Sequence, residues 1–131
     1  MRPELIELND LIRVVPHYPK PGISFKDITP ILNSKTGFQT LINQMLKEVA
    51  FIEKSVDKII GIESRGFILG AAVAAKLGVG FVPIRKKGKL PWKTLSQAYA
   101  LEYGQDHMEI HEDALKPGER IIIMDDLIAT G

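Results

Sequence analysis

The sequence predicts an α/β fold, a mostly parallel twisted sheet flanked by helices with an inserted antiparallel hairpin, on three observations. Lys58–Ile62 (KIIGI) and Val79–Ile84 are short apolar strands separated by the glycine-punctuated helical run Gly66–Leu77. A strand–helix–strand alternation of this kind calls for parallel pairing through a right-handed crossover. Ile121–Met124 is a run of four bulky apolar residues, the signature of a strand buried on both faces. Ser96–Tyr103 and Met108–His111 partly alternate, as an antiparallel hairpin does, with Gly104-Gln105-Asp106 as its tip.

The remaining elements follow in chain order. Pro3 suits the first turn of a helix whose apolar side carries Leu5, Ile6, Leu8, Leu11 and Ile12. Pro16–Pro30 holds four prolines and a glycine, which predicts an ordered loop or set of turns. Ser34 is placed to cap a long helix with Phe38, Leu41, Ile42, Met45, Leu46 and Val49 on its buried face. The small residues of Gly66–Leu77 would let that helix pack closely on the sheet. Arg85–Pro91 (RKKGKLP) reads as a basic loop, and Lys116-Pro117-Gly118-Glu119 as the turn into the last strand.

At 131 residues the chain fits one domain, large enough to bury roughly two-thirds of its unfolded surface. A formal charge of +1 gives no global field that would attract nucleic acid or an acidic membrane. The absence of cysteine removes disulfides, thiolate chemistry and cysteine-based zinc sites. No apolar run reaches membrane-spanning length, and the N-terminus is acidic and amphipathic rather than signal-like. A cytoplasmic protein without nucleic-acid or membrane partners is expected.

The chemistry concentrates at strand ends. Asp125 and Asp126 follow the apolar strand directly, and Leu127-Ile128-Ala129-Thr130-Gly131 turns away from it. In open parallel sheets ligands bind beyond the carboxyl ends of strands. Acids there can accept hydrogen bonds from a sugar diol or coordinate a metal, and a Thr-Gly turn can offer backbone N–H groups to a phosphate. The magnesium strand of a P-loop ATPase has a similar ending, but it needs a GxxxxGK[ST] loop that the chain lacks. A receiver-type phosphoacceptor and a plain pair of solvated acids are the other readings.

In Gly61-Ile62-Glu63-Ser64-Arg65-Gly66 a strand ends and a helix begins, an arrangement that binds anions, and Arg65 can grip an anion with two donors. Ser64 as a simple cap and Arg65 as a surface residue are the bland alternative. Arg85, Lys86, Lys87 and Lys89 suit a polyphosphate, or form a solvated loop. Phe25 can stack on a base or plug a core. Glu102 and Tyr103 are unremarkable alone, and His17, His107 and His111 lack metal-ligand spacing.

Taken together, five segments in order resemble the type I phosphoribosyltransferases, most closely those that act on adenine. IIIMDDLIATG resembles the family's phosphoribosyl pyrophosphate signature, PGISFKDITP its base-site loop, and GIESRGFILG its pyrophosphate-loop strand and helix. RKKGKLP resembles its basic loop, and ALEYG the flexible flap over the active site. The resemblance runs the length of the chain and implies a single phosphoribosyltransferase domain over 1–131. Within it, 1–33 would be a base-site segment and 95–111 a flap.

The resemblance implies transfer of a phosphoribosyl group from phosphoribosyl pyrophosphate to adenine, giving AMP and pyrophosphate, by a homodimer. Mg2+ would be carried on the pyrophosphate donor, with no metal site of the protein's own. Asp125 and Asp126 would hold the ribose hydroxyls, and Ala129, Thr130 and Gly131 would begin the phosphate cradle. Arg65, Lys86 and Lys89 would hold the pyrophosphate. Phe25 would stack on adenine, with Ser24 and Lys26 offering backbone polar groups and Leu127 on the opposite face. Glu102 would be the acid–base residue, beside Tyr103. In the family the signature continues beyond Gly131 with a glycine, a threonine, a helix and strands. A longer natural parent is therefore expected, and weak or no catalysis if the molecule ends at Gly131. A non-catalytic sensor of phosphoribosyl pyrophosphate on the same fold, or an enzyme for another purine base, is the alternative.

Overall fold

The computed structural model describes residues 8–52, 55–101 and 103–126. The chain divides into two compact units, Met1–Glu48 and Val49–Gly131.

In the first unit residues 8–11 are helical, and strand β1 (Arg13–Val15) pairs antiparallel with β2 (Phe25–Asp27). The proline-rich segment is thus a two-stranded ribbon rather than loop alone. Its prolines fall at residues 16, 19, 21 and 30, outside both strands, so no ladder N–H is lost. Helix α1 (Thr29–Leu32) follows with Ile28 at its N-cap and Pro30 in its first turn, and Asp27 braces the entry to it. One Asp27 carboxylate oxygen accepts the Thr29 backbone N–H at 2.9 Å and the other accepts the Thr29 hydroxyl at 2.7 Å. Helix α2 (Lys35–Ile52) begins as expected, with Ser34 Oγ accepting the Gly37 N–H at 3.0 Å. Ile42 is buried, as is Val49 in the last turn of the helix, which is counted with the second unit, while Phe38, Leu41, Met45 and Leu46 are half-buried.

The second unit is a five-stranded sheet of order β5-β6-β4-β3-β7 with the helix α3 (Arg65–Leu77) packed on β3, β4 and β7. The strands are β3 (Lys58–Ile62), β4 (Gly80–Lys86), β5 (Thr94–Ala100), β6 (Gln105–His111) and β7 (Ile121–Met124). Pairings β3–β4 and β3–β7 are parallel; β4–β6 and β5–β6 are antiparallel. Central β3 buries both faces, with Ile59 and Ile60 at 0% and 2% exposure. Leu69, Val73 and Ala74 of α3, Val82 of β4 and Met124 of β7 complete the core. Helix and sheet lie close: a Cβ at Gly70 would meet the Phe81 ring at 2.9 Å.

Strand β7 departs from the expected burial on both faces. Ile121 and Ile123 are 37% and 56% exposed, whereas Met124 is buried. The reason is position. Among the described residues β7 stands at one edge of the sheet, with β3 as its neighbour, and α3 comes close to it at Met124. The hairpin tip is also shifted. Gln105 and Asp106 pair with Ala100 and Tyr99, so the tip is 101–104, closed by Leu101 N–H donating to Gly104 O at 3.0 Å. Arg85 and Lys86 belong to β4, extended by pairing with Glu109 and Met108 of β6.

Candidate active site

Because β3, β4 and β7 run parallel, their carboxyl ends deliver Ile62, Lys86 and Met124 to one edge of the sheet. The expected residues of the second unit collect there. Arg65, the first residue of α3, places Nε 2.6 Å from Asp126 Oδ2, and the Asp126 side chain is only 8% exposed. Asp125 Oδ1 accepts the Asp126 backbone N–H at 2.8 Å. Burial pushes the Asp125 carboxyl above its ordinary value, and the adjacent Asp126 charge pushes the same way. The approach that allows this pairing depends on Gly66, where a Cβ would stand 2.7 Å from Met124 O and 3.3 Å from Asp125 Oδ1.

The basic segment is organised around Glu63, a residue of the GIESRG motif to which the sequence assigned no role. Its Oε1 accepts the Lys86 backbone N–H at 2.6 Å. Lys89 Nζ lies 3.5 Å from Oε2, and Arg85 Nε lies 3.5 Å from Oε1, an ion-pair distance without a hydrogen bond. The Lys86 backbone N–H holds the Glu63 carboxyl below its usual value against the opposing effect of burial, with Lys89 and Arg85 adding to it. Arg85 also lies over the Phe67 ring at 5.8 Å.

Strand β6 supplies two more acids. Glu109 accepts the Gly88 N–H at 2.7 Å and the Thr94 hydroxyl at 2.9 Å, and these hydrogen bonds lower its pKa. Asp106 accepts the Tyr99 hydroxyl at 3.2 Å and has Lys86 Nζ 3.9 Å away. Glu109 was invisible from sequence because its role depends on the register that sets it opposite Arg85. No local spacing encodes that pairing.

The second unit therefore brings Arg65 together with Asp125 and Asp126, and Lys86 together with Lys89 through Glu63. Tyr103, at the hairpin tip, is 84% exposed. Ser24, Phe25 and Lys26 belong to the first unit, where Phe25 is half-buried with its ring 5.3 Å from Tyr18 in an edge contact. Glu102, Leu127, Ala129, Thr130 and Gly131 lie outside the described residues. Among the described residues no group of three or more His, Asp or Glu could hold a metal ion, and no helix is long and apolar enough to cross a membrane.

Residues 24–131 match the model of the phosphoribosyl transferase domain. The chain is 56% identical over 126 residues to the adenine phosphoribosyltransferase of Synechococcus sp. (strain JA-3-3Ab), covering 96% of this chain and 71% of that protein. The chain belongs to the adenine phosphoribosyltransferase family. The family's solved structures carry the same fold. The adenine phosphoribosyltransferase of Thermoanaerobacter pseudethanolicus superposes with a TM-score of 0.90 at 51% identity, over 97% of this chain and 73% of that one. The Saccharomyces cerevisiae adenine phosphoribosyltransferase, complexed with adenine and an imino-altritol bisphosphate, gives 0.93 at 43% identity, over 98% and 74%. The type I phosphoribosyltransferase fold expected from the sequence is the fold observed.

Proposed function

We infer that this chain transfers the phosphoribosyl group of 5-phosphoribosyl 1-pyrophosphate to adenine, giving AMP and pyrophosphate in purine salvage. The observation that carries the reading is the acid pair at the carboxyl end of β7, drawn against the start of α3 by Arg65. Family membership and the adenine-bound yeast relative support it.

The chemistry dictates the roles. Departure of pyrophosphate leaves an oxocarbenium-like centre at the anomeric carbon, so the site must neutralise a highly charged leaving anion and hold the sugar for in-line attack. Asp125 and Asp126 accept hydrogen bonds from the ribose hydroxyls. Arg65, Lys86 and Lys89 meet the pyrophosphate, and Ala129, Thr130 and Gly131 begin the cradle of the terminal phosphate. Mg2+ would come bound to the pyrophosphate donor. The described residues suit that better than an all-protein site, because an oxygen of Asp126 is already paired with Arg65 and one of Asp125 with a backbone N–H. Carried on the donor, Mg2+ would help neutralise the charge that develops on the leaving group.

Phe25 stacks on adenine, Ser24 and Lys26 present backbone polar groups to its edge, and Leu127 packs on its other face. Such a site rejects oxo-purines, which would face mismatched donors. Hairpin 95–111 excludes water from the reactive centre, with Glu102 as the acid–base residue beside Tyr103. A cytoplasmic homodimer completes the reading.

Steady-state AMP formation from adenine and phosphoribosyl pyrophosphate tests the activity. Asp126→Asn removes the charge facing Arg65 and should lower kcat/KM by about tenfold to a hundredfold, the loss expected when a charge-assisted bond goes. Full turnover in both Asp126→Asn and Glu102→Gln would sink the role assignments.

A further inference from the structure

The four backbone N–H groups of the basic turn, at residues 86–89, all have partners within the protein. Lys86 N–H donates to Glu63 Oε1 at 2.6 Å, Lys87 N–H to His107 O at 3.2 Å, Gly88 N–H to Glu109 Oε1 at 2.7 Å, and Lys89 N–H to Lys86 O at 3.2 Å. Anion-binding loops of the nest type aim successive amides at the ligand. Here four in a row donate within the protein, which leaves anion recognition to the side chains alone.

Two of these acceptors are carboxylates from different elements. Glu63 follows β3; Glu109 lies in β6 and also holds the hydroxyl of Thr94, the first residue of β5. Each negative charge weakens the pull of Arg85, Lys86, Lys87 and Lys89 on an incoming anion. What the carboxylates return is position, since a hydrogen bond to an ionised acceptor is roughly twice as strong as a neutral one. Their lowered pKa values, caused first by those same N–H groups, agree with that.

We propose that Glu63 and Glu109 are positioning residues that clamp the backbone of 86–89, so that Lys86 and Lys89 meet the diphosphate as a preformed pair. The proposal rests on reading this edge as a pyrophosphate site. Through Glu109 it also ties that pair to the root of the hairpin, so turn and hairpin root form one rigid body.

Alanine and glutamine variants at each position separate clamp from charge. Both remove the negative charge, but glutamine keeps an oxygen that can accept one N–H. Glu109→Ala should raise KM for phosphoribosyl pyrophosphate about tenfold over Glu109→Gln, with kcat and the adenine KM changed by less than about twofold. Glu63→Ala and Glu63→Gln should differ in the same way. In substrate-free protein, hydrogen exchange at the Gly88 amide should quicken about tenfold in Glu109→Ala, and at Lys86 in Glu63→Ala. Equal KM values and equal exchange in the alanine and glutamine variants would overturn the clamp. So would a loss spread evenly over both substrates, which marks a merely structural role. A wild-type protein that makes no AMP would instead refute the enzymatic reading, and the exchange rates still decide whether the carboxylates hold the turn.

Discussion

Replacing Gly66 with alanine tests whether the acid pair and the start of α3 need their close approach. The added Cβ would stand 2.7 Å from Met124 O, about 0.7 Å inside ordinary van der Waals contact at 3.4 Å. The opposing atom is backbone of a strand hydrogen-bonded to β3, so it cannot swing aside as a side-chain end would. Either α3 or the end of β7 must move. Overpacking of this kind costs about 1–3 kcal/mol. Alanine recovers up to about 1 kcal/mol through its better helix propensity, leaving a net loss centred on about 1–2 kcal/mol. For a chain of this size that corresponds to a fall in Tm of about 3–6 °C. The same displacement opens the 2.6 Å pairing of Arg65 with Asp126, so KM for phosphoribosyl pyrophosphate should rise about tenfold. Thermal melts and initial-rate kinetics read the two effects separately. An alanine variant with unchanged or higher Tm and unchanged KM would refute the argument.

Two further outcomes follow from the geometry. Ser34→Ala removes the acceptor of the Gly37 N–H at the start of α2 and should cost about 1 kcal/mol in denaturant unfolding without altering m. Glu119 accepts from Lys58 Nζ at 2.9 Å, and this hydrogen bond is the main cause of its lowered pKa. A depressed acid stabilises above its unfolded value near 4.5 and loses that contribution as pH falls through the lower folded value. Glu119→Gln should therefore melt below wild type at neutral pH and converge with it in acid; a constant Tm gap from pH 7 to pH 2 would contradict the assignment.

Strand β3 was legible because a centre strand of a parallel sheet is apolar on both faces whatever its partners. Helix α3 was legible to within one residue from its glycines and apolar spacing, and the cap at Ser34 from residue type alone. The ribbon in the proline-rich segment was not legible, since pairing of Arg13–Val15 with Phe25–Asp27 joins residues ten to fourteen positions apart. The burial of β7 was misjudged for a related reason: apolar composition does not say which strand stands at an edge.

By itself, the sequence determined the α/β class, the central strands and the identity of the groups at their carboxyl ends, because periodicity and residue chemistry are local properties. It also carried the family, through five motifs in order. Only tertiary structure decided that Arg65 faces Asp126, that Glu63 gathers Arg85, Lys86 and Lys89, and that Glu109 holds the basic turn from the neighbouring strand β6. Those are pairings between segments up to about sixty residues apart, fixed by strand order and register.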